Sequence, residues 1–173
     1  MFRAHPIYMK TSHIISILMV ASLTGLTGCS RCQTIDDETA IRQVIEQGVA
    51  DAEASRAKAV MTLATRDFEL IPQGFDVRDT QLRLYLILRR LGRFSIIYPR
   101  PTILIDAKTQ AFAEAQMPFA IRRTDKEIPN LSNLIDDPEE WISEIDAIAD
   151  VYTLEMWLIK KDDTWKVRKA RIQ

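Results

Sequence analysis

The sequence predicts an α+β domain, with N-terminal helices packed on an antiparallel sheet, behind a cleaved signal peptide. Three observations carry this. Residues 36–91 place apolar side chains at helical spacing, residues 94–172 mostly alternate at strand spacing, and residues 1–28 have the charge and hydropathy profile of an export signal. At 173 residues, 47% apolar and 27% charged, the composition is that of a globular protein.

The first segment has a basic start, Arg3 and Lys10, without an acid. An apolar run from Ile14 to Leu26 follows, shorter than the roughly 20 residues that span a bilayer. It ends in Leu26-Thr27-Gly28-Cys29, which resembles the bacterial lipobox. The resemblance implies cleavage before Cys29, a diacylglycerol on its sulfur and an acyl chain such as palmitate on the new amine. It also implies a lipid-anchored protein of the bacterial cell envelope. Ser30, rather than Asp, after the cysteine implies the outer membrane, facing the periplasm. Met9-Lys10-Thr11-Ser12 is itself a serviceable signal start, so Met9 is an alternative start codon to Met1.

Processing would alter the chemistry available. Both histidines, His5 and His13, lie in residues 1–28, so the mature chain has no imidazole. That excludes Ser-His-Asp and Cys-His nucleophiles and any His-ligated metal site. Two of the 23 basic residues also leave, so 21 remain against 24 acids, a net charge of −3. Net acidity argues against nucleic acid as a partner. Only Gly48, Gly74 and Gly92 remain, too few for a phosphate-cradling loop. No cofactor and no metal are expected. Cys29 and Cys32 have C-x-x-C spacing, but lipidation of Cys29 would leave Cys32 as a single thiol. It is then either an unused linker thiol or the site of an intermolecular disulfide.

Residues 29–35 read as a tether and 36–173 as a single domain. The first helix starts at Asp36 or Asp37 and runs to about Ala54. Acids at its positive end favour it, and Ile41, Val44, Ile45, Gly48, Val49 and Ala52 make one apolar face. Gly48 on that face predicts close approach of another element. Ser55 is read as the cap of a short second helix to about Ala64, and Phe68–Ile71 as a short strand. A third helix, capped by Asp76 or Asp79, ends at Leu91 with Gly92 as its stop. Its two apolar stripes, Leu84-Ile87-Leu88-Leu91 and Leu82-Tyr85-Leu86, form an arc so wide that coverage on more than one side is expected, and Arg83, Arg89 and Arg90 read as an ordinary solvated edge in preference to the face of a membrane-active helix.

Residues 94–106 are β-rich but broken by Pro99 and Pro101. Asp106–Gln110 reads as a hairpin turn. Ala111–Arg122 alternates, with Ala113, Ala115 and Met117 on one face, Phe112, Glu114 and Gln116 on the other, and Pro118 at a bulge or edge. Residues 123–149 are an insertion. Asp137-Pro138-Glu139-Glu140 opens a short helix with Trp141, Ile142, Ile145, Ile148 and Ala149 on its apolar face. From Asp125 to Glu155 there are ten acids and one Lys, a solvated flap or a docking surface. Val151–Lys160 and Trp165–Ile172 form a final hairpin. Its first strand is apolar on both faces, hence central, and its second needs a bulge near Arg168–Ala170.

Three segments together resemble the nuclear-transport-factor-2-like, or cystatin-like, superfamily. They are Asp37-x-x-x-Ile41-x-x-x-Ile45 with Ala52, then Ala59-Val60-x-x-Leu63-x-x-x-Asp67-Phe68, then Tyr152-x-Leu154-x-x-Trp157-x-Ile159-Lys160-Lys161-Asp162-Asp163-x-Trp165-Lys166-Val167. The resemblance implies a bent sheet wrapped around the long helix, with a conical cavity between them. The insertion at 123–149 departs from the family, and would cover the cavity mouth or extend the sheet. Family enzymes, such as ketosteroid isomerases and scytalone dehydratase, use a cavity carboxylate, a His or a Tyr. Candidates here are Asp106, Glu114 and Glu155, with Tyr85 and Tyr98 as donors; Tyr85, Glu114, Glu155 and Trp157 are the candidate cavity residues. The hairpin and third helix would close a core around Phe68, Tyr85, Leu88, Met156, Trp157 and Trp165.

Three functions fit this reading. The first, favoured because imidazole is missing, is a non-enzymatic envelope lipoprotein that binds a small apolar ligand or docks an envelope protein. The second is an isomerase or dehydratase using a cavity carboxylate. The third is a structural envelope partner acting through the acidic insertion and the Arg-rich stretch 78–100, with six Arg and one Asp. If those opposite charge blocks stand apart in the fold, they favour head-to-tail self-association.

Overall fold

A computed structural model describes residues 36–123, 135–146 and 149–173. The expected export signal, Cys29, Cys32, the expected tether and parts of the expected insertion lie outside these residues. Residues 35–173 form one compact unit.

Helix α1 spans Asp37–Glu53, and Asp36 caps it by accepting from the Thr39 N–H at 2.9 Å. Ile41, Ile45 and Ala52 are buried on the expected face. At Gly48 a Cβ would stand 3.4 Å from Leu63 Cδ1, so the close approach is to the end of the next helix. That helix, α2 (Ala57–Thr62), is shorter than expected and is not capped by Ser55. Ser55 takes a left-handed backbone, φ 56°, and the Arg56 N–H bonds the Asp51 carbonyl at 2.8 Å. The sharp corner after α1 uses Ser55 up, and Arg56 stands at the cap position, where its side chain makes no capping bond to α2.

Strand β1 runs Ala64–Ile71, four residues longer than the apolar signal suggested. It meets β6 (Thr164–Ile172) first at Ala64, opposite Val167, where the Val167 N–H bonds the Leu63 carbonyl, and again from Glu69 to Ile71 after an irregular stretch. Helix α3 (Val77–Leu91) is capped by Asp76, which accepts from the Asp79 N–H, and stopped at Gly92, φ 70°. Strands β2 (Phe94–Ile97) and β3 (Thr102–Ile105) flank the two prolines. Strand β4 (Phe112–Arg123), helix α4 (Pro138–Asp146) and strand β5 (Val151–Lys161) complete the fold.

The sheet order is β1-β6-β5-β4-β2, with β3 also on β4. Every pair is antiparallel except β1 with β6, so the sheet is mixed where an antiparallel one was expected. Parallel pairing requires a long crossover, and nearly the whole domain supplies it between these two strands. The bulge expected in the last strand is present. Trp157 pairs Lys169 while Leu158 pairs Val167, so Arg168 is the extra residue.

Pro118 sits within β4 without breaking it. Its partner on β5 is Thr153, whose N–H and C=O both bond Gln173 on the other side. Pro118 is therefore in a non-hydrogen-bonded pair, with its nitrogen turned toward the gap between β2 and β3. β2 ends opposite Ala120 and β3 starts opposite Gln116, so no ladder donor is demanded there.

One face of the sheet packs on α1. Ile41, Ile45, Ala113, Ala115, Met117, Met156, Leu158 and Trp165 form that core. Leu88 of α3 joins Ala52, Ala57 and Phe94, with Ile96 and Ile121 against them. The opposite face of β4 is covered at one end by α4. Trp141 and Ile145 are fully buried against Ala120, with Ile97 and Val151 beside them. This corrects the flap reading of the insertion for its helix: the acids face solvent, but the helix is part of the core. It also explains why β4 buries Pro118 and Ala120, out of step with Ala113, Ala115 and Met117.

Candidate functional site

The candidate residues fall into three places. Glu114, Trp157 and Glu155 lie together on the sheet face opposite α1, beyond the reach of α4. Here one row crosses five strands: Leu104, Glu114, Trp157, Lys169 and Glu69 are successive register partners. Trp157 donates its indole N–H to Glu114 at 3.2 Å, and Lys169 meets Glu69 at 3.4 Å. The neighbouring row pairs Phe112 with Ile159. Leu104 and Phe112 are exposed, and with Glu114, Trp157, Ile159 and Lys169 they line an open groove of about 510 Å³. Alternation put Glu114 and Glu155 on this face, but it does not say which face an inserted helix covers. The groove is therefore on the outside of the sheet, not between the sheet and α1.

Glu155 is fully engaged. Arg171 donates from both Nε and a terminal nitrogen to Oε2, and Gln173 donates to Oε1 at 3.1 Å. The same Arg171 guanidinium stands 5.7 Å from the Trp157 ring centroid. Asp106, the third candidate base, accepts from Lys108 N–H at 2.8 Å and Thr109 hydroxyl at 3.1 Å. It closes the β3–β4 turn, a structural role.

Tyr85 is elsewhere. It is half-exposed on α3, not in the core, and lines a second open groove of about 810 Å³ between α2 and α3. Tyr98 is packed against the α1 core from the β2–β3 link. Burial, then the nearby Glu46 and Glu53 carboxylates, push its hydroxyl above the ordinary tyrosine value, so it is held as a neutral phenol. The expected core thus keeps Phe68, Leu88, Met156 and Trp165, while Tyr85 is exposed and Trp157 is half-buried on the sheet face opposite α1.

Sequence reading missed Asp51. It is buried near the end of α1, where a carboxylate opposes the helix dipole. Arg56 at 2.6 Å and Gln47 at 3.0 Å hold it, so it pins the α1–α2 corner. Its one signal is position: it lies one residue from Ala52 on the inward edge of the helix. Among the described residues no group of three His, Cys, Asp or Glu side chains is placed to hold a metal ion.

No protein-family model and no curated protein matches the sequence. Solved structures do match the fold. An NTF2-like protein of unknown function from Pseudomonas putida aligns with a TM-score of 0.58 at 13% identity, covering 79% of this chain and 84% of that one. A cystatin-like-fold protein of unknown function from Nostoc punctiforme gives 0.57 at 10% identity, with 79% and 89% covered. A candidate scytalone dehydratase from Novosphingobium aromaticivorans gives 0.55 at 14% identity, with 78% and 80% covered. The domain therefore has the nuclear-transport-factor-2-like, cystatin-like fold. At these identities the likeness is one of fold alone.

Proposed function

We propose that this is a lipid-anchored envelope protein, held at Cys29 in the outer membrane facing the periplasm, whose domain binds a small apolar ligand without catalysis. The observation that carries the binding reading is the Leu104–Phe112–Trp157 surface, an apolar floor left open on an otherwise paired sheet. Glu114 and Lys169 stand on it as the polar groups that would orient a bound molecule. The non-catalytic reading is supported by the engagement of Asp106 and Glu155 in structural bonds and by a solvent-exposed Glu114. A base needs to be free and desolvated to be tuned. Anchoring rests on Leu26-Thr27-Gly28-Cys29.

The test is fluorescence of the soluble domain. Trp141 and Trp165 are buried, so ligand-dependent change reports Trp157. Extracted envelope lipids and apolar metabolites should shift the emission of the parent and leave a Trp157→Phe variant unchanged. Equal shifts in both would overturn the site.

A further inference from the structure

Helix α3 was expected to be covered on more than one side, and it is not. Its inward edge is Leu84, Leu88 and Leu91. Leu82 is 59% exposed, Leu86 56%, Ile87 55% and Tyr85 46%. At 100° per residue Leu82, Tyr85 and Leu86 form one outward stripe, and Arg78 and Arg89 fall within it. Arg89 reaches the Tyr85 hydroxyl at 3.4 Å. Arg83 and Arg90 flank the stripe, and across the groove α2 adds Lys58. The single acid on this surface of α3 is Asp79.

We propose that this α3 surface lies on an anionic phospholipid surface, with Leu82, Tyr85 and Leu86 at the headgroup–acyl boundary and Arg78, Arg89 and Lys58 among the phosphates. The chemistry is that of an interfacial helix: apolar side chains ringed and interleaved by cations, on a helix too short to cross. Charge decides the orientation. α3 packs against Ile121 on one face of β4, and the acidic α4 packs against Ala120 on the opposite face. A negative surface therefore attracts one side of the domain and repels the other.

The proposal rests on the anchored reading for its biological setting, because seven residues from Cys29 to Ile35 extend at most about 25 Å and would keep the domain beside lipid. A second copy offering α4 to α3 fits less well. That helix exposes one large apolar residue, Ile142, and the segment before it already uses Asp136 on Arg100 at 3.1 Å.

The experiment uses residues 35–173, which hold every core cluster described and lack the anchor, so failure here is separable from failure of lipidation, which is read by acyl labelling in cells. Co-sedimentation is measured with vesicles of pure phosphatidylcholine and of 30% phosphatidylglycerol. Binding should be at least about tenfold stronger to the anionic vesicles and should weaken about tenfold between 50 mM and 500 mM salt. The pair Leu82→Ser with Leu86→Ser and the pair Arg78→Glu with Arg89→Glu should each lower it about tenfold, with unchanged circular dichroism. No preference for anionic vesicles, or variants that bind like the parent, overturns the proposal. So does a concentration-dependent oligomer that the same substitutions dissolve, which would give this surface to a second copy.

Discussion

Trp165 donates its indole N–H to the carboxylate of Asp37 at 3.0 Å, joining the last strand to the first turn of α1. The same Asp37 oxygen accepts from Lys160 at 2.7 Å. One carboxylate thus fastens the long helix to both strands of the final hairpin. Beneath it the Trp165 ring is buried among Ile41, Ile45 and Leu158. Replacing Trp165 by Ala should cost about 3–5 kcal/mol. That is a large share of the roughly 5–15 kcal/mol that holds a domain together. Denaturant curves check it, and a variant as stable as the parent would refute the hairpin's role.

The same cluster predicts a pH response. Hydrogen bonds from Lys160 and Trp165 lower the Asp37 pKa, and the bond to Asp37 raises that of Lys160. A lowered carboxylate pKa means that Asp37 stabilises the fold fully above its unfolded value of about 3.9. That contribution is lost as pH falls through the lowered folded value. The raised ammonium pKa gives Lys160 a contribution present below about 10.4 and lost as pH rises through its folded value. Asp37→Asn should flatten the acid limb of a melting-temperature profile. An unchanged limb would assign acid unfolding to other groups, of which the Asp36 cap, also lowered by its bonds to Thr39, is the first to examine.

Helix α4 separates burial from charge in the insertion. Trp141→Ala should destabilise by about 3–5 kcal/mol, whereas Glu140→Gln on the solvent side should stay within about 0.5 kcal/mol. Thermal melts of the two variants suffice. A silent Trp141→Ala would return the insertion to a solvated flap.

Much of this was legible in the sequence. The caps Asp36, Asp76 and Asp137, the Gly92 stop and the Arg168 bulge each follow from local chemistry, and local chemistry is what a sequence displays. Other features depend on what lies across space. Nothing local to Ala64 announces the start of a strand, because its partner Val167 is a hundred residues away. Alternation in β4 and β5 separates Glu114 and Trp157 from Met156 and Ala115, but which face takes α1 is decided by the whole sheet. The wide arc of α3 implied coverage, yet three of its apolar residues on one stripe face outward. Arginine positions there carried the relevant information, and the arc alone did not.

Glu114→Gln tests the enzyme alternative. Glu114 is exposed and takes one indole bond, so the change should leave stability within about 1 kcal/mol. A clear gain would mean a carboxylate ionised at a cost inside an apolar site. That outcome would favour the isomerase or dehydratase reading.

Lipidation is checked in cells. Cys29→Ala should leave an unprocessed precursor and abolish acyl labelling, and normal labelling of the variant would refute the anchor. Reductant should leave the melting temperature unchanged, because Cys32 precedes every helix and strand described. A large fall would reveal a disulfide that the core needs.

The central claim is that an open outer sheet face, floored by Trp157, binds a small apolar molecule. Native mass spectrometry of the protein extracted from membranes measures this most directly, parent beside Trp157→Ser. The account predicts a discrete non-covalent adduct on the parent and its loss from the variant, with both folded. A parent that carries no adduct, or a variant that retains it fully, would contradict the account.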